Sequence, residues 1–138
     1  MNYSVQNLTQ VADCNVLLTW AAKEKADLNF KKIFDERLTV KFAETSQELN
    51  AVLQGLLAEL AATETIISVL PEGTSRDEAV NKKTRLEYKK FLLETRRGSY
   101  GAIALLEKEM ELARVEQEIE EVDAFMAAVE VKRAALTV

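Results

Sequence analysis

A single proline, Pro71, stands in this chain of 138 residues, and only four glycines accompany it. Proline and glycine are the residues that most often interrupt helices and strands, so a chain that nearly lacks them forms long regular elements. Alanine, leucine, glutamate and lysine are abundant, and all four favour helices. The sequence therefore predicts an all-α protein.

The segment around the proline predicts the main reversal of the chain. Pro71 and Gly73 separate two strongly periodic segments, and Thr74 with Asp77 matches the capping pattern that begins a helix. We expect a single helical domain over 1–138, with one arm at about 8–70, a turn at 71–74 and a second arm at about 75–136.

Both arms carry apolar residues at alternating steps of three and four, a pattern typical of helices that pack along their length. In the first arm these are Leu49, Leu53, Leu56, Leu60, Ile67 and Leu70, with Thr63 in the same register. In the second arm they are Leu112, Val115, Ile119, Val122, Met126, Val129 and Leu136, with Arg133 as the polar member. The spacing favours a long antiparallel helical hairpin of the coiled-coil type. An ordinary amphipathic core stripe is the alternative interpretation.

The distribution of charge favours one register for this hairpin. If the chain reverses at Glu72 and Gly73, residue i lies roughly opposite residue 145 − i. Segment 76–97 has a net charge of +4, and the opposite segment 48–69 has −3. Segment 107–130 has −7, and the opposite segment 15–38 has +1. Each exposed ion pair is worth at most about 1 kcal/mol, so the pattern indicates register and direction rather than stability.

Two weak points interrupt the helical pattern, at 44–48 and at 98–101. Thr45 and Glu48 repeat the capping pattern, and the basic residues before Gly98 are typical of a helix C-terminus. We expect Gly98 and Gly101 to form a hinge in a long arm, with two hairpins pairing into a four-helix bundle. The alternative is a compact four-helix bundle within one chain. We favour bent arms, since a connection between packed helices usually needs 2 to 5 loop residues and neither site offers a clear one.

The composition argues against most catalytic and metal chemistry. Histidine is absent, which removes the commonest general base and transition-metal ligand, and Cys14 is the only cysteine. Glutamates one turn apart within 107–130 could hold a hard cation, but a solvated charged face is the favoured interpretation. We therefore expect no enzymatic activity, no cofactor and no resident metal.

Nucleic-acid binding is also disfavoured. The basic segment from Arg76 to Arg97 has an acidic partner in the chain, whose net charge is −5. The sequence of 98–101 fits the GxxG loop of a KH domain, yet no strand pattern flanks it. The N-terminus lacks the pattern of a signal peptide, and no apolar run approaches the ~20 residues of a membrane span. These features predict a cytoplasmic protein without a membrane segment.

Apolar residues beyond the two per heptad that a hairpin seam uses predict a second contact surface. The residues that we expect in a homodimer interface are Phe30, Phe34, Leu57, Phe91, Leu92 and Leu105. The favoured function is that of a non-enzymatic helical interaction or assembly protein, which associates with itself and with another protein's helix. The alternative is a helical bundle that binds a small ligand or a hard metal ion.

Overall fold

The computed structural model describes residues 1–137, which contain helices and no strand. A short 3-10 helix at Val5–Asn7 precedes three α-helices: α1 at Val11–Val69, α2 at Thr74–Tyr100 and α3 at Ala102–Leu136. Gly101 alone separates α2 from α3. The prediction of an all-α protein is confirmed.

The interruption between α1 and α2 lies in the segment where a turn is predicted. The N–H of Leu70 still donates to the carbonyl of Ile66 at 3.1 Å, and the chain then leaves the helix. A proline disfavours helical geometry in the residue before it and has no N–H to donate, so α1 ends ahead of Pro71. Gly73 has φ +153°, which residues with a side chain rarely adopt, and its carbonyl accepts from the N–H of Asp77 at 3.1 Å.

Neither capping pattern works as predicted. The N-cap of α2 is Gly73, which has no side chain that could cap the helix. The prediction of a capping box formed by Thr74 and Asp77 is therefore wrong. Thr45 and Glu48 lie inside α1, which continues without a break through 44–48. A helix extends at little cost once its flanks are helical, so this polar segment stays helical and the predicted weak point is wrong. The turn that a single-chain four-helix bundle would need at 44–48 is thus absent from the described chain.

The second weak point is real but lies at a single residue. Gly98 is inside α2, whereas Gly101 stands between the helices and accepts the N–H of Leu105 at 3.0 Å as α3 begins. A Cβ atom added at Gly101 would collide with the backbone carbonyl oxygen of Arg97, whereas one added at Gly98 meets nothing within 4 Å. The break therefore falls within the predicted weak point at 98–101, at Gly101, whereas Gly98 lies inside α2.

The contacts divide the chain into two compact units. Unit 1 consists of Met1–Leu38 and Lys108–Val138, and unit 2 consists of Thr39–Glu107. The single domain expected over 1–138 stays a prediction, and each unit is described by itself below.

In unit 1, α1 packs antiparallel against α3. The most deeply buried apolar residues are Cys14, Ala21, Val115 and Val129. Three contacts join the two helices: Lys25 with Asp123 at 2.6 Å, Trp20 with Phe125 at 5.9 Å between ring centroids, and Arg133 with Asn15 at 3.0 Å. The residue numbers of each pair add up to 145 or 148, which agrees closely with the register expected from charge.

In unit 2, α1 packs antiparallel against α2. Five members of the seam predicted for the first arm are buried, namely Leu49, Leu53, Leu56, Leu60 and Thr63, and the other two, Ile67 and Leu70, are half-buried. The hydroxyl of Thr63 donates to the carbonyl of Glu59 at 2.8 Å, so no buried donor is left unpaired there. Leu86 of α2 joins Leu56 and Leu60 in one core cluster. Glu59 with Lys82 at 3.4 Å and Glu64 with Lys83 at 3.6 Å pair across the helices.

Candidate interaction surfaces

The outward face of α1 in unit 1 carries large apolar side chains. Phe30 is 76% exposed, and Ile33 and Phe34 beside it are also exposed. Phe30 follows the fully buried Ala21 by nine residues, which is two and a half turns at 3.6 residues per turn. Its ring therefore points directly away from the side of α1 that packs on α3.

The outward face of α2 in unit 2 is similar. Phe91 is 62% exposed, and Tyr88 and Leu92 are exposed next to it. Thr84 and Thr95 lie on the same face, and their hydroxyls donate to the carbonyls four residues earlier, at 3.1 and 2.9 Å. Because these hydroxyls already have acceptors, another apolar surface can cover the face without leaving them unpaired.

The part of α1 in unit 2 is apolar on nearly every side. Only Glu59 and Glu64 are charged between residues 49 and 69, and Val52, Leu57 and Ile66 are exposed. A window of α1 has a mean hydropathy of 1.4, enough by length and composition to cross a membrane, and 22% of it is buried. Core helices of soluble proteins and signal sequences have the same length and composition, and little of this window is buried within the described chain.

The predicted interface residues fall into two groups. Five of the six are exposed, namely Phe30, Phe34, Leu57, Phe91 and Leu92. Leu105 is half-buried, and its neighbours Ile103 and Leu106 are the exposed ones. Leu105 stands seven residues before the half-buried Leu112, in the register of the stripe of α3 that packs inward. Its place in a homodimer interface stays a prediction, as for the other five residues.

An open groove runs along one side of the α1–α2 pair in unit 2. Leu56, Leu86 and Leu93, which pack together in the core, line it. It consists of two depressions of about 710 and 530 Å³, which share Glu59 and Lys89 in their walls. We call it the unit 2 groove.

The two walls of the unit 2 groove differ in character. On the α1 side Val52 is exposed, and a Cβ added at Gly55 would meet nothing within 4 Å. On the α2 side the wall contains Lys82, Arg85, Lys89 and Leu92, at steps of three and four.

Charge in the unit 2 groove is not balanced. Glu59 is the only acidic residue that lines the groove, and its carboxylate is already paired with the Nζ of Lys82 at 3.4 Å. Arg85 and Lys89 have no acidic partner within 4 Å among residues 1–137. This groove was not predicted from the sequence. The signals that could have indicated it are the spacing of the basic residues on α2 and the small residue Gly55 among larger residues on α1.

An aromatic cluster in unit 1 fixes the N-terminal segment. The ring of Tyr3 meets that of Phe125 edge-on at 5.1 Å between centroids, and Trp20 does so at 5.9 Å. The hydroxyl of Tyr3 donates to Oε1 of Glu121. This hydrogen bond, with burial and the charge of Glu121, raises the pKa of Tyr3 above 10.0. Tyr3 could not be predicted from the sequence pattern, because it precedes the first periodic residue.

No group of three or more potential metal ligands lies together within residues 1–137. The expectation of no resident metal or cofactor stays a prediction. Comparisons of the chain with protein-family models, with curated proteins and with solved structures found no match.

Proposed function

We propose that this chain is a non-enzymatic helical assembly protein, which associates with a second copy through the outward apolar faces of its helices. The observation that carries the proposal is the exposure of aromatic side chains opposite the buried seams, Phe30 in unit 1 and Phe91 in unit 2. Exposed apolar faces of this kind are typical of protein interaction sites.

The energetics favour association. Covering one exposed phenylalanine is worth about 1.5–3 kcal/mol. In a two-fold interface each copy supplies the same face, so the two phenylalanines of one such face supply roughly 3–6 kcal/mol before ordering costs are subtracted. Those costs are of similar size or larger, about 4–15 kcal/mol, so neighbouring exposed residues such as Ile33 and Phe34 would also have to be covered. We propose a homodimer in which two helical pairs lie side by side in a four-helix cross-section.

The test is to remove aromatic rings that do not support the core. We expect the double variant Phe30→Ser with Phe91→Ser to lower the fraction of dimer at a concentration where the unaltered chain is dimeric. Size-exclusion chromatography with light scattering measures the mass. Because both rings are exposed, the helical content should stay unchanged in circular dichroism.

Met110→Ser is the matched control. Met110 is 62% exposed, like Phe91, but it stands beside Glu109 and Glu111 on α3. This variant should keep the mass of the unaltered chain. Equal masses for the double variant and the unaltered chain would count against the proposed faces.

A further inference from the structure

The shape of the unit 2 groove is suited to the docking of one more helix. Leu56 and Leu86, which line it, are almost fully buried. Gly55 leaves open space on the α1 side, where a larger residue would narrow the groove. A helix docked between two others buries apolar residues at steps of three and four, and the exposed apolar side chains that the groove offers it are Val52, Tyr88 and Leu92.

The charges of the groove select among possible helices. Arg85 and Lys89 are one turn apart on α2, and neither has an acidic partner within the described chain. Glu59 is already paired with Lys82. A covering helix with acidic residues beside its apolar stripe would pair with both cations, whereas a basic one would be repelled.

We propose that the unit 2 groove binds an amphipathic helix of a partner protein, in which glutamate or aspartate flanks an apolar stripe. This proposal rests on the proposed function in that it takes the chain to be an interaction protein, but it adds a partner other than the chain itself.

The chain does not itself supply such a helix. Its one strongly acidic segment, 107–130, has a net charge of −7 and an apolar stripe of the right spacing. That stripe is used inside unit 1, where Val115 and Val129 are almost completely buried. A second copy would have to unfold its own core to place this stripe in the groove, so the occupant is a separate protein.

The test uses the full chain and two synthetic helical peptides of about 18 residues, or five turns. Both have leucine at the a and d positions, and the flanking positions are glutamate in one and lysine in the other. Fluorescence anisotropy of the labelled peptides measures binding. We expect the glutamate peptide to bind, with affinity that falls as salt is added, and the lysine peptide to bind at least about tenfold more weakly.

Two variants address the groove. Arg85→Glu with Lys89→Glu reverses the charge of the wall, and Gly55→Leu fills the open space. We expect each to weaken binding of the glutamate peptide by about tenfold or more. Gly98→Leu is the control, because it makes the same change at another helical glycine with open space around it, outside the groove. It should bind the peptide like the unaltered chain.

The peptide measurements would overturn the proposal if the two peptides bind equally, if Gly55→Leu binds like the unaltered chain, or if neither peptide binds. A lower self-association mass in Gly55→Leu would assign the groove to a second copy and would also overturn it. Binding of anionic lipid vesicles that depends on Arg85 and Lys89, without binding of the glutamate peptide, would overturn the proposal as well.

A chain that is monomeric but still binds the glutamate peptide would refute the proposed self-association and leave the groove proposal standing. A dimer indifferent to the peptide would refute the groove alone.

Discussion

Gly101 is the residue whose replacement tests the break between α2 and α3 most sharply. An alanine Cβ there would collide with the carbonyl oxygen of Arg97, which is backbone and cannot turn aside as a side chain would. Forcing an extra carbon into occupied space costs about 1–3 kcal/mol. At Gly98, inside α2 with nothing within 4 Å of an added Cβ, the same replacement removes a helix-weakening glycine and gains about 0.5–1 kcal/mol.

The two single variants should therefore change stability in opposite directions. Gly98→Ala and Gly101→Ala should differ by roughly 1.5–4 kcal/mol in free energy of unfolding, obtained from urea melts followed by circular dichroism. In thermal melts this corresponds to roughly 5–12 °C for a chain of this length. If Gly101→Ala is more stable than the unaltered chain, α2 and α3 join into one helix when the glycine is removed. The argument that the break requires Gly101 would then be refuted.

Three further predictions concern other positions. Gly73→Ala should lower the free energy of unfolding by about 1–3 kcal/mol in urea melts, since φ +153° is strained for alanine; no loss would mean that the turn can relax. Tyr3→Phe should be less stable than the unaltered chain below pH 10. The raised pKa of Tyr3 means that the protonated hydroxyl stabilises the fold there and that this contribution is lost as pH rises through the raised value. Thermal melts of both proteins across this range should therefore converge at high pH, and a constant gap would contradict the role of the hydrogen bond to Glu121. Leu86→Ala should cost about 2–5 kcal/mol because Leu86 is 6% exposed, whereas Leu106→Ala, at 63% exposure, should change stability by less than about 0.5 kcal/mol. Similar losses in urea melts of these two variants would argue against the core described for unit 2.

The seams of α1 and α3 were predictable because helical spacing depends only on local geometry. Leu49, Leu53, Leu56 and Leu60 are buried in unit 2 as their steps of three and four indicate. The antiparallel register was predictable from charge, because segments of opposite sign attract along their whole length. Individual pairs were not, since Lys83 contacts Glu64 and also Glu87 of its own helix.

Helix ends were harder to predict than helix faces. The pattern of Thr45 and Glu48 can begin a helix or lie inside one. Here it lies inside α1, because the chain is helical for many residues on both sides of it. The hinge was expected at Gly98 and Gly101 together, and the sequence pattern does not distinguish the two glycines, although only at Gly101 would an added Cβ meet the carbonyl oxygen of Arg97. The unit 2 groove was missed for a related reason, because a groove is a property of two helices together.

Sedimentation equilibrium of the unaltered chain at micromolar concentration tests the central proposal most directly. Self-association through the faces that contain Phe30 and Phe91 predicts a mass twice that of one chain, decreasing toward a single chain on dilution. The same mass as one chain throughout the micromolar range would contradict the proposal, since the exposed aromatic rings would then remain in water.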